Sequence, residues 1–199
     1  MTYKSISKSA ETELIIKHSR FIAAAHFVPD AGYAEKIITD IKSRFQDATH
    51  NCYAYIIDEA RMRFSDDGEP QGTAGVPILS VIKKRKLERT LIVVTRYYGG
   101  IKLGGGGLIS AYTAAASSAL EQAGVRTYIQ SIIAKLQLNY DQVKTANFIL
   151  KQGGANIINT EYLEAVYYDI AIETGKWEEL TKVLMNSNIK VEEIDEKFI

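Results

Sequence analysis

Cysteine is almost missing. Of 199 residues only Cys52 carries a thiol, so a disulfide framework within the chain is excluded. No run of about 18 apolar residues exists, which excludes a membrane-spanning helix of ordinary length and any membrane partner held that way. The opening MTYKSISKSAETELIIKHSR is polar and has no apolar signal core. These absences lead to the expectation of a cytoplasmic protein. His18, His26 and His50 are the only histidines, and no metal-ligand spacing emerges from them. Low-complexity linkers and internal repeats are absent too. Net charge is also lacking, since 24 Lys and Arg balance 24 Asp and Glu. That balance conceals an asymmetry: 17 basic against 13 acidic residues through Arg126, then 7 against 11 from Thr127 onward. A mildly basic half permits an anionic partner without demanding one.

What is present is enough hydrophobic material, 46% of the chain, to bury a core. The best internal boundary is EQAGVRT, Glu121 to Thr127, where Gly124 stops a small-residue helix and the charge changes sign. This divides the chain into residues 1–126 and 127–199. In the first part, Glu13 to Val28 reads as two strands. Asp30 then caps a helix with Ala34, Ile37, Ile38, Ile41 and Phe45 on one stripe. NCYAYIID and RMRFS read as paired strands, DDGEPQGTAG as a polar loop, and PILSVIKK as a short helix with Pro77 in its first turn. TLIVVT, apolar throughout, is expected to be a central strand buried on both faces. The second part reads strand, helix, two strands, helix, strand. Ile132, Ala134, Leu136 and Leu138 face inward, Gly153-Gly154 ends the first helix, and Thr174 caps the second. The whole is α+β.

The densest signal is RYYGGIKLGGGG, Arg96 to Gly107, with six glycines in twelve residues. A strand, glycines and then a helix is the context in which backbone N–H groups bind phosphate. Neither the P-loop spacing nor the dinucleotide fingerprint is met. The structural reading is that Gly99-Gly100 turns the chain while Gly104 to Gly107 lets the alanine-rich helix pack closely. Arg96 and Lys102 keep an anion site in play. DDGEP places Asp66, Asp67 and Glu69 around Gly68, which fits either oxygen ligation of Mg²⁺ or Ca²⁺ or an Asp-Gly turn whose acids cap backbone N–H groups. His50 and Asn51 stand at the rim of a strand near that loop. Cys52, two residues after His50, reads as a buried strand thiol rather than a nucleophile. KKRKLER supplies Lys83, Lys84, Arg85 and Lys86, either for RNA phosphates or as a solvated turn.

FSDDGEPQGTAGVPIL followed by VVTRYYGGIKLGGGGLISAY resembles the IMPACT family, and the resemblance spans the chain, with HNCYAY before these motifs. The four consecutive glycines are richer than the family's usual form, which often has alanine there. The resemblance implies a first domain like the second domain of ribosomal protein S5 and a ferredoxin-like second domain, similar to the last domain of elongation factor G. Both of those relatives touch the ribosome, whereas the translational control that eukaryotic members exert through a protein partner and an extra N-terminal domain, which this chain is expected to lack, is not carried over. The resulting expectation is a non-enzymatic binding protein for RNA or a ribosomal surface, with no cofactor. Its ligand residues would be His50, Asn51, Asp66, Asp67, Gly68, Glu69, Arg96, Gly99, Gly100, Lys102, Gly104, Gly105 and Gly106. Nucleic acid would meet Lys83, Lys84, Arg85, Lys86, Arg96 and Lys102. The alternatives are a Mg²⁺-dependent enzyme acting on a nucleotide or small phosphorylated compound, and a module that docks a protein partner. No catalytic set is assembled, and no metal ligands are assigned.

Overall fold

The computed structural model describes residues 1–199. The chain is α+β, with two sheets and five α-helices. It divides into two compact units, Tyr3–Thr127 and Tyr128–Ile199 together with Met1–Thr2. No helix is long and apolar enough to cross a membrane.

Strand β1 (Thr2–Ile6) opens the chain, and its Ile6 enters the core of the first unit. Strands β2 (Ala10–Ile16) and β3 (Ser19–Phe27) form a hairpin, turning on Lys17 and His18, both at positive φ as a type I′ turn requires. Helix α1 (Ala31–Arg44) follows. The Asp30 carboxylate accepts from the Tyr33 N–H at its start, and Ala34, Ile38 and Ile41 are buried. Next come β4 (His50–Ile56), β5 (Met62–Ser65), α2 (Gly75–Lys84), β6 (Thr90–Tyr97) and α3 (Gly104–Ala123). The sheet runs β2-β3-β6-β4-β5, every neighbouring pair antiparallel.

Alternation along β6 explains its unbroken apolar run. Leu91 and Val93 pack with α1, while Ile92 and Val94 pack with α2 and α3. In β4, Cys52, Ala54 and Ile56 share the α2/α3 face. The stripe of α3 is small: Ala111, Ala115, Ala116 and Ala119 are all buried, so its axis lies close to the strands. Tyr112 is the one large polar residue in that stripe, and it is fully buried.

The second unit contains β7 (Val125–Leu138), α4 (Val143–Gly153), β8 (Asn156–Tyr162), β9 (Val166–Glu173), α5 (Trp177–Asn186) and β10 (Lys190–Phe198). Within it β7 pairs with both β10 and β9, and β9 pairs with β8, all antiparallel. Ile132, Ala134, Leu136 and Leu138 meet α4 and α5 in one core, as the alternation predicts. Gly154, in the left-handed region, ends α4. Thr174 is not the cap of α5. Its hydroxyl donates to the Gln130 carbonyl, and a 3₁₀ turn at Thr174–Lys176 precedes the helix.

Candidate functional site

The register of the first sheet builds the site. His50 on β4 and Phe21 on β3 both stand opposite Arg96 on β6. Arg96 continues the face of Ile92 and Val94, so its side chain enters the α2/α3 layer just where β6 ends. A guanidinium buried there needs a partner. The loop from Asp66 to Ala74 supplies one, and its own carboxylates fold it. Asp66 accepts from the N–H groups of Gly72, Ala74 and Gly75, at 2.8, 3.0 and 2.8 Å, tying the loop to the amino end of α2. Asp67 accepts from Asn51 N–H at 2.7 Å and from Lys42 Nζ at 2.6 Å, pinning the loop to β4 and α1. Burial alone would raise the Asp67 pKa. The Lys42 ammonium and the Asn51 N–H outweigh that and hold it below the ordinary value.

Glu69 is thereby delivered against Arg96. Its Oε1 accepts from Arg96 Nη1 at 2.6 Å and from the Tyr112 hydroxyl at 2.7 Å, with both ionic side chains almost wholly buried. Arg96 Nη2 donates to Ser19 Oγ at 3.2 Å, while its buried Nε–H finds no acceptor. The guanidinium also lies 5.5 Å from the ring centres of Phe21 and Tyr98. Burial raises the Tyr112 hydroxyl pKa, and the adjacent Cys52 and Glu69 add to the effect. The tyrosine is therefore a fixed donor. Cys52 Sγ lies 3.0 Å from the Asp66 carbonyl oxygen and 3.3 Å from the Tyr112 oxygen, and burial pushes its pKa up to about 12. A thiol this reluctant to ionise is packing, not a nucleophile.

Beside this network lies a cavity of about 420 Å³, lined by Thr49, His50, Glu69, Pro70, Arg96, Tyr98, Lys102, Leu103, Gly104, Gly105 and Leu108. The two motifs therefore meet. The glycines contribute in a way the sequence did not foretell, because Gly104 to Gly107 form the first turn of α3 rather than a loop before it. That end has no side-chain cap, and no acidic residue lies in its first turn. A Cβ added at Gly104, Gly105 or Gly106 would meet nothing within 4 Å. The expectation that these three glycines allow close packing therefore fails. The close approach is at Gly99, where a Cβ would stand 2.0 Å from the His18 carbonyl carbon.

Of the anticipated ligand residues, His50, Glu69, Arg96, Lys102, Gly104 and Gly105 line the cavity. Asn51, Asp66, Asp67, Gly68, Gly99, Gly100 and Gly106 do not. Asn51 accepts from Thr95 Oγ1 through its side-chain oxygen. Asp66 and Asp67 are occupied by N–H groups and Lys42, so of the two readings of DDGEP the geometry matches the turn whose acids cap backbone N–H groups. No three His, Cys, Asp or Glu side chains converge as metal ligands. Lys83 and Lys84 end α2, followed by Arg85 and Lys86. That is about 15 Å along the helix from its amino end, where the loop joins. Arg85 pairs with Glu121, while Lys83 and Lys86 share another hollow with Glu59 and Glu88. The anticipated nucleic-acid residues thus fall in two separate places. Sequence reasoning missed Ser19 and the pairing of Tyr112 with Glu69. Tyr98 and Tyr112 stand in or beside the glycine motif, where a tyrosine suits base stacking if exposed and fills the core if buried; Tyr98 is exposed and Tyr112 fully buried.

The family model of the Impact N-terminal domain matches residues 17–120, which hold this whole network. The IMPACT family member YvyE of Bacillus subtilis (strain 168) is 38% identical over 201 residues, covering 96% of this chain and 91% of that protein. The IMPACT family member YigZ of Escherichia coli (strain K12) is 34% identical, covering 85% of each. A crystal structure described as that of a hypothetical protein superimposes with a TM-score of 0.65 at 30% identity, covering 98% of both chains. The chain belongs to the IMPACT family.

Proposed function

We propose that the protein is a non-enzymatic, cytosolic RNA-binding protein of the translation apparatus, and that its cavity seats a phosphate of a single strand on the amino end of α3. The first unit corresponds in this reading to the S5-domain-2-like architecture. The second, with its βαββαβ order, corresponds to the ferredoxin-like one. The family resemblance supports the link to translation. The anionic ligand is supported by the α3 terminus itself: an uncapped helix end whose Gly105 and Gly106 have no steric reason to be glycine. Each costs about 0.5–1 kcal/mol of helix stability relative to alanine. Beside that end lie Lys102 and an arginine whose Nε–H lacks an acceptor. Backbone N–H groups, the partial positive charge of a helix end and a lysine together make an anion seat.

The test is binding of a short single-stranded RNA to the full chain at low salt, read by fluorescence anisotropy, with Gly105→Glu beside the native protein. A carboxylate in the first turn of α3 favours the helix by about 0.3–1 kcal/mol, so the variant should melt no lower than the native chain. It should nevertheless lose most of the RNA affinity. Undiminished binding would place the strand elsewhere, and no association of the native chain at low salt would remove the RNA reading.

A further inference from the structure

The cavity that holds the anion seat also holds His50 Nε2 and Glu69 Oε2, two acceptors side by side when the histidine is neutral. His50 Nδ1 lies 2.9 Å from the Asp67 carbonyl oxygen, which can only accept, so Nδ1 carries a proton. In the neutral form of the ring Nε2 is then a bare lone pair. It lies 3.8 Å from Glu69 Oε2, too far for a hydrogen bond. Glu69 Oε1 is filled by Arg96 and Tyr112, whereas Oε2 accepts no hydrogen bond. Two acceptors held this close repel each other until a donor comes between them, and a group with two hydrogens satisfies both. Around them, Pro70, Leu103, Leu108 and the ring of Tyr98 give the same cavity an apolar surface. Such a surface suits a flat ring, by stacking.

We infer that His50 and Glu69 read an exocyclic amino group, so that the cavity takes one amino-bearing base, adenine, cytosine or guanine, and rejects uracil. The inference rests on the reading of the cavity as an RNA site and adds base selection to it. Cytosine offers an amino group where uracil presents a carbonyl oxygen. In this cavity that oxygen would face two acceptors, while shape and stacking area stay the same.

The test compares oligocytidylate with oligouridylate of equal length on the full chain at neutral pH and low salt. Cytidylate should bind roughly tenfold tighter, the scale of one good polar base contact. His50→Ala should shrink that ratio by removing one acceptor, and Gly105→Glu should weaken both oligomers together. Equal affinities, or tighter uridylate, would overturn base selection while leaving the phosphate seat intact. A ratio unchanged in His50→Ala would overturn it too, because the preference would then arise elsewhere. Failure of both oligomers to bind would bring down the RNA reading and this inference with it.

Discussion

Gly99 and Gly105 stand in one motif and answer to different physics. At Gly99 the backbone passes against the His18 carbonyl, where a methyl group would overlap at 2.0 Å. At Gly105 there is open space. Gly99→Ala should therefore lower stability by more than about 2 kcal/mol, because rigid backbone on both sides must move. Gly105→Ala should raise it by about 0.4–1 kcal/mol. Denaturant midpoints of the two variants against the native chain decide this, and a destabilised Gly105→Ala would mean that the first turn of α3 needs glycine for its own folding. The two glycines look the same in the sequence, and no spacing rule separates them. The difference lies in what the β2–β3 turn brings alongside.

Among the elements, the loop between β5 and α2 is tied down by its own acids. Asp67 ties it to α1 through Lys42 and to β4 through the Asn51 N–H. Its pKa in the folded chain lies below the ordinary 3.8. The stabilisation is therefore complete above that ordinary value and is lost as pH falls through the depressed one. Asp67→Asn should be less stable than the native chain at neutral pH. The two stabilities should converge in acid below the folded pKa, as measured by urea midpoints across that range. A constant gap at every pH would show that charge at Asp67 does not matter. The elements themselves were legible. The period-two patterns of β7 and β9, the double-sided burial of β6 and the Asp30 cap all follow from side-chain alternation and capping chemistry. Thr174 was misread because a threonine ahead of an apolar helix looks the same whether its hydroxyl caps the helix or bonds to a neighbouring strand.

For the molecule as a whole, the basic residues anticipated for nucleic acid are divided between the cavity and the carboxyl end of α2. If the cavity is the RNA site, few cations meet the strand. The affinity should then fall gently with salt, with a log–log slope of roughly −0.7 for each phosphate neutralised, hence near −1. Replacing Lys83 and Lys86 together by alanine should leave that slope unchanged, whereas Lys102→Ala should flatten it. A steep slope that collapses in the Lys83/Lys86 double variant would move the interface to the basic turn.

The sequence by itself determined the elements, the family and the two motifs, because hydrophobic period, turn residues and capping groups act over a few positions and leave a local record. The tertiary structure alone decided which residues form the site. Strand register sets His50 beside Arg96, and Asp66 and Asp67 are used up in folding the loop that presents Glu69. A helix forty-three residues away brings Tyr112 to the same carboxylate. Such meetings depend on the packing of a whole sheet and its helices, which no short stretch of chain encodes.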